Sequence, residues 1–238
     1  MIFCIGAHKT ASTSLQSTLE NIGFKFPDGN EQYKKFFCTK NHELLGFVAQ
    51  LRTRYKANAF RDSPFNLFKN YVTIHDYFHE QTRIKPLSQK TKFILTIRDS
   101  EKWFDSVVRW IQTKKGDPKV YEQIYGCPVT IENKQRVIQE YESRNREIQN
   151  FFKNTNSLLV LDICDGDNKE NFTKLCNFLN ITLPHPHPHP HPNKVNINAN
   201  TVSIPWLNRN NNVTLENDIT RNTRNKTNKT NTTTVGFY

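Results

Sequence analysis

The chain has 238 residues, with 33 Lys and Arg against 22 Asp and Glu (formal net charge +11) and 12% aromatic residues, mostly Phe. That supplies one sizeable core, and no apolar run approaches the about 20 residues of a membrane-spanning helix. The five cysteines are odd in number, widely spaced and without a C-x-x-C pair, which argues against a disulfide framework or a thiolate zinc site and for a reducing compartment.

Met1 to Ile5 is a short apolar run and reads as a buried strand, with Cys4 in the core. Gly6 ends it. Ala7 to Ser14 is a small, hydroxyl-rich loop with a single lysine, Lys9. A helix pattern follows from Thr13, with Leu15, Leu19 and Ile22 on one face. Strand, small-residue loop and helix form the layout that cradles a phosphate, because free N–H groups and the helix dipole meet the anion there. The loop is not a Walker A motif, since Lys9 stands at its front. Taken alone it also fits an ordinary strand–turn–helix.

Residues 23–40 read as a loop with an aromatic cluster (Phe24, Phe26, Tyr33, Phe36, Phe37), and 41–57 as a helix with cations near its C-terminal end. Pro64 pushes Ser63 toward an extended conformation, so Asp62 falls at the end of a short strand or on a loop. A further helix is expected over 65–81, with Phe65, Phe68, Tyr71, Val72, Tyr77 and Phe78 on its apolar side.

Lys92 to Ile97 is a second clear strand, closed by Arg98-Asp99-Ser100 and followed by a helix from about Glu101. Arg98 thus sits at the carboxyl end of a strand, the edge where open α/β sheets bind ligands. Asp99 reads as a helix cap rather than a catalytic group. Residues 115–130 read as a connection, 131–153 as a long amphipathic helix, Leu158 to Ile163 as a third strand, and Lys169 to Asn180 as a last helix. This alternation predicts an α/β fold: a three-layer sandwich with a central parallel sheet flanked by helices.

From Pro184 the composition changes. The Pro-His alternation removes every second N–H and excludes helix or central strand. The expected organisation is a domain over 1–183, a Pro/His-rich linker with a docking segment (Ile204 to Leu207) over 184–207, and a disordered, Asn/Thr-rich basic tail over 208–238. The basic charge is spread: 27 Lys and Arg against 20 Asp and Glu over 1–192, then 6 against 2. That is the pattern of a solvated surface, leaving at most weak nucleic-acid binding through the tail. Because the first strand begins at once, no leader segment, no membrane insertion and a cytoplasmic location are expected.

Three separated stretches carry a resemblance. Lys9 followed by Thr10, Ala11, Ser12, Thr13 and Ser14 resembles the 5′-phosphosulfate loop of sulfotransferases, whose donor is 3′-phosphoadenosine-5′-phosphosulfate (PAPS). KFILTIRDSEKWFDSV, with Ser106 eight positions after Arg98, resembles their 3′-phosphate segment. The stretch from EYESRNREIQNFF through LLVLDICDGDNKENFTKLCNFLNITLP is similar to the closing segment of the carbohydrate-type and bacterial branches. The resemblance covers residues 1–193. Two departures stand out: Ala11 replaces the usual glycine, and Ser100 replaces the usual proline.

The resemblance implies a P-loop NTPase-like sulfotransferase fold and transfer of a sulfuryl group from PAPS to a hydroxyl or amine of a small-molecule or glycan acceptor, with no metal required. It implies that Lys9 meets the transferring group and the bridging oxygen. Thr10, Ala11, Ser12, Thr13 and Ser14 would hold the 5′-phosphate, and Arg98 and Ser106 the 3′-phosphate. Asp62 stands where the family keeps its base, and it equally fits a helix cap or an ion pair with Arg61. His8 is read as shaping the loop and His75 as an ordinary helix residue. The segments 24–37 and 115–130 are expected to line the acceptor cleft. The competing readings are a small-molecule kinase of the P-loop class and an inactive sulfotransferase-like binding protein.

Overall fold

The computed structural model describes residues 1–29, 31, 35–84, 91–113 and 115–181. The elements are β1 (Ile2–Cys4), α1 (Ser12–Asn21), α2 (Asn41–Tyr55), β2 (Ala59–Arg61), α3 (Asn70–Ile84), β3 (Lys92–Thr96), α4 (Ser100–Gln112), α5 (Pro118–Tyr125), α6 (Lys134–Phe152), β4 (Leu158–Leu161) and α7 (Asn168–Leu179). The four strands form one all-parallel sheet in the order β2-β1-β3-β4.

Alternation along the strands sends side chains to two buried faces. Phe3, Phe60, Phe93 and Leu95 join a core with Leu44, Val48 and Leu51 of α2, Tyr71, Ile74 and Phe78 of α3, and Ile148 and Phe152 of α6. Ile2, Cys4, Ala59, Ile94 and Leu161 face the other way, against Leu15 and Leu19 of α1 and Phe172, Leu175 and Cys176 of α7. With both faces covered, the centres of the strands must be apolar, which is why the strands read as short hydrophobic runs with polar residues only at their ends. The layers are those the alternation predicts.

The register is locked by aromatic packing. Phe3 pairs across the sheet with Phe60 and Phe93, and its ring stacks on theirs at 4.9 and 5.7 Å. A slip of one residue would turn these rings to the opposite face. A third cluster lies beyond the carboxyl edge of the sheet, where Trp103, Phe104 and Val107 of α4 meet Tyr121 and Tyr125 of α5 and Val137, Ile138 and Tyr141 of α6.

Three sequence expectations are corrected. The helix expected over 65–81 starts at Asn70, because Phe68 (φ 49°) and Lys69 (φ 58°) are left-handed and break any helix through them. Phe65 is buried in the preceding turn, whereas Phe68 and Tyr77 are exposed. The stretch 115–130 contains α5, begun by Asp117, whose side chain accepts from the Lys119 N–H, with Pro118 in the first turn, and ended by the left-handed Gly126. Those are standard start and stop signals around a helix of only eight residues. The third strand ends at Leu161 rather than Ile163, since Asp162 already begins a turn.

All five cysteines are thiols, and all but Cys164 are buried. No helix among the described residues is long and apolar enough to cross a membrane. The linker and tail expected beyond 183, including the Pro-His run, lie outside the described residues.

Candidate functional site

The loop after β1 is held by its carbonyl groups. The Ile5 carbonyl accepts from Arg144 Nη2 at 3.1 Å, Gly6 from Asn66 Nδ2 at 2.9 Å, Ala7 from Thr10 Oγ1 at 2.6 Å and His8 from Trp103 Nε1 at 3.0 Å. Four consecutive acceptors are thus taken from within the protein. Arg144 also donates to the Asn66 carbonyl. Its burial disfavours the charged form and lowers its pKa, so the guanidinium is retained by these bonds.

Thr10 is fully buried. Its hydroxyl donates to Ala7 and therefore accepts from Thr96 Oγ1, 2.7 Å away. Thr10 ties the loop to β3. Gly6 passes so close to β3 that a Cβ there would lie 2.7 and 2.9 Å from the carbonyl oxygen and nitrogen of Thr96. This contact, not a positive φ, requires glycine.

Lys9 (φ 68°) and Ala11 (φ 66°) are both left-handed. Ala11 is the N-cap of α1, makes no side-chain cap bond, and the first turn holds no acidic residue. The first amides of α1 have no intrahelical acceptor, so this end presents donors and a positive dipole end without an anion of its own. Ser12 and Ser14 are buried, while Thr13 is exposed.

Asp62 follows β2 directly and is buried. Its carboxylate accepts from Arg61 Nη1 at 2.7 Å and from Ser12 Oγ at 3.3 Å. The same Arg61 nitrogen lies 3.2 Å from Thr13 Oγ1 and 3.4 Å from Ser12 Oγ. Arg61 therefore reaches across the first turn of α1. Of the alternatives open to Asp62 in the sequence, the ion pair with Arg61 is present.

Lys9 Nζ lies 4.1 Å from the centre of the Trp110 ring, a cation–π contact. Trp110 and Ser106 are four residues apart on α4 and share a face, so Lys9 reaches the helix that carries Ser106. The His8 ring stacks on Phe36 and meets Tyr121 edge-on, each at 5.9 Å. The two segments expected to line the acceptor cleft thus converge on His8, beside Lys9. Burial pushes the His8 pKa down; the Asp62 carboxylate opposes this, and Arg144, Arg61 and Lys9 reinforce it.

Arg98 stands just past β3, with its Nε 3.7 Å from Asp165 Oδ2. Lys102 Nζ holds the other carboxylate oxygen at 2.9 Å. Asp99 caps α4, accepting from the Lys102 N–H at 3.0 Å. Tyr141 brackets the Arg98 peptide: its hydroxyl accepts from the Arg98 N–H at 2.9 Å and donates to the Arg98 carbonyl at 3.1 Å. Ser106 is half-buried on α4, and no interaction joins it to Arg98 among the described residues.

The fold therefore gathers Lys9 to Ser14 with Asp62, and sets Arg98 just past β3 and Ser106 on α4 alongside. Sequence reasoning missed Arg61 as a cation at this helix start, and Asn66, Trp103, Tyr141 and Arg144 as its supports. Only Arg61 carried a signal, as the neighbour of Asp62 at a strand end. Among the described residues no group of three or more His, Cys, Asp or Glu is placed to hold a metal ion.

A family model described as a sulfotransferase domain matches residues 1–197. A search of the curated proteins finds no match.

Proposed function

The chain belongs to the sulfotransferase domain family, whose reaction is sulfuryl transfer, and we propose that its donor is PAPS and its acceptor a hydroxyl or amine of a small molecule, a glycan among the candidates. The observation that carries this reading is the pinning of the Ile5 to His8 carbonyls from within. A loop whose acceptors are consumed offers a ligand mainly donors, and an uncapped helix start follows it.

In this reading the amides at the start of α1 hold the 5′-phosphate, with the hydroxyls of Ser12, Thr13 and Ser14 and the guanidinium of Arg61. Thr10 and Ala11 act through the backbone, since the Thr10 hydroxyl is committed to Ala7 and Thr96. Arg98 and Ser106 hold the 3′-phosphate, the group that separates this donor from ATP, with Arg98 suited to paired hydrogen bonds. Lys9 leaves the Trp110 ring for the bridging oxygen and neutralises charge as the S–O bond breaks. Alignment and charge neutralisation are the chief demands of such a transfer, as in phosphoryl transfer.

Asp62 is the proposed base for the acceptor proton. To take it, the carboxylate uses Oδ1, while Oδ2 keeps its bonds to Arg61 and Ser12. The His8, Phe36 and Tyr121 rings wall the acceptor side.

Calorimetric binding of adenosine 3′,5′-bisphosphate (PAP), the desulfonated donor, tests this reading. Wild type is expected to bind PAP, with Lys9→Ala and Arg98→Ala weaker and ATP and AMP much poorer. A chain that ATP stabilises and PAP does not would be a kinase of the P-loop class. A chain that binds neither would be a binding protein on an inherited fold.

A further inference from the structure

Both donor-binding segments lie past the ends of their strands. β1 ends at Cys4 and β3 at Thr96, whereas His8 and Arg98 stand beyond the ladder that joins them. A second connection spans the gap. Trp103 Nε1 donates to the His8 carbonyl. The Trp103 indole stacks face to face on Tyr141, with ring centres 4.0 Å apart and planes within 8°. The Tyr141 hydroxyl closes the chain by bracketing the Arg98 peptide on both its N–H and its carbonyl.

Neither ring has room to move. Trp103 is 0% and Tyr141 2% exposed, and Tyr125 meets the indole edge-on at 5.4 Å. The two rings come from different helices, α4 and α6, so the stack also fixes how those helices seat against the loop.

We propose that the Trp103–Tyr141 stack is a positioning element that sets the separation between the phosphate loop and the Arg98 segment, and thereby the preference for a nucleotide phosphorylated at both the 5′ and 3′ positions. This rests on the donor assignment above. A ligand holding both subsites gains more from the second when their spacing is fixed before it binds. Rigid aromatic contact with hydrogen bonds at both ends supplies that fixity. Neither residue need touch the ligand.

The test compares PAP with AMP, which lacks the 3′-phosphate, by calorimetry, with competition against PAP for weak binding. The quantity read is the ratio of the AMP to the PAP dissociation constant. Tyr141→Phe keeps the stack and removes the hydroxyl; Trp103→Phe keeps an aromatic ring and removes the N–H. Each is expected to lower the ratio about three- to tenfold, the size of one or two net hydrogen bonds. The double variant is expected to fall no further than the worse single one, as for parts of one element.

A general structural role would weaken both nucleotides by a common factor and leave the ratio unchanged, which would overturn the proposal, as would additive losses in the double variant. Wild type that binds PAP while both variants keep its ratio overturns this inference alone. Wild type that does not bind PAP overturns the donor assignment and this inference with it.

Discussion

Arg98 Nε lies 3.7 Å from Asp165 Oδ2, and the same carboxylate holds Lys102 at 2.9 Å. A turn fixes Asp165: its N–H donates to Asp162 Oδ1 at 2.9 Å, and the Gly166 N–H donates to the Asp162 carbonyl at 3.1 Å. An added Cβ on Gly166 would lie 2.5 Å from that carbonyl oxygen. If Arg98 holds the 3′-phosphate as proposed, that phosphate shares its cation with a carboxylate held in place.

Asp165→Asn is therefore predicted to tighten PAP binding about three- to tenfold at low salt, with the gain shrinking as salt screens these partly exposed charges. Calorimetry at two ionic strengths checks it. Weaker binding in the variant would mean that Asp165 orients Arg98 rather than competing for it.

Ala11 sits at φ 66°, where a Cβ is unfavourable by about 1–2 kcal/mol. Ala11→Gly relieves this, offset by about 0.4–1 kcal/mol from the looser unfolded chain. The expected net gain is between zero and about 1.6 kcal/mol, each 1 kcal/mol being worth about 2–4 °C in Tm. Gly6→Ala is predicted to do the opposite, destabilising by about 1–3 kcal/mol through overpacking against the Thr96 backbone. Thermal melts of both variants test the pair; a Gly6→Ala protein as stable as wild type would contradict the close approach.

Arg144→Met removes the donor to two carbonyls, those of Ile5 and Asn66. Each stranded acceptor is expected to cost about 1–3 kcal/mol. Because one of them belongs to the loop, PAP affinity is predicted to fall as well, even though Arg144 holds backbone rather than ligand. Urea unfolding and PAP titration of the same variant measure both effects; a loss of stability with unchanged PAP binding would separate Arg144 from the loop.

Burial lowers the His8 pKa in the folded chain. Below the ordinary imidazole value the unfolded chain therefore binds a proton that the folded chain refuses. Stability then rises with pH through this region, and is lost as pH falls below about 6.5 and toward the folded pKa. The groups acting on the ring besides burial are Asp62, Arg144, Arg61 and Lys9. His8→Asn is predicted to flatten the fall in stability between about pH 6.5 and pH 5. Denaturant midpoints across that range decide it, and a variant with the wild-type pH slope would show that His8 is not its source.

Local signals determined much of this protein. The apolar runs are strands because both faces of the sheet are covered, and their shortness, apolar composition and polar borders reveal that. Asp99 before an amphipathic run is a cap because its side chain reaches the helix amide three residues on. The order of strand, hydroxyl-rich loop and helix over residues 1–21 was legible, and so was the place of Arg98 just past a strand; the phosphate roles given to them remain proposals. Tertiary structure alone decided how that loop is held. The donors that fix the carbonyls of Gly6, His8 and Ile5 come from Asn66, Trp103 and Arg144, 60, 95 and 139 residues away from their acceptors. Such bonds leave no periodicity or spacing to read, because each depends on where a distant element packs. The left-handed Ala11 and the Arg61–Asp62 pair across the start of α1 belong with them, set by the neighbours the chain acquires only on folding.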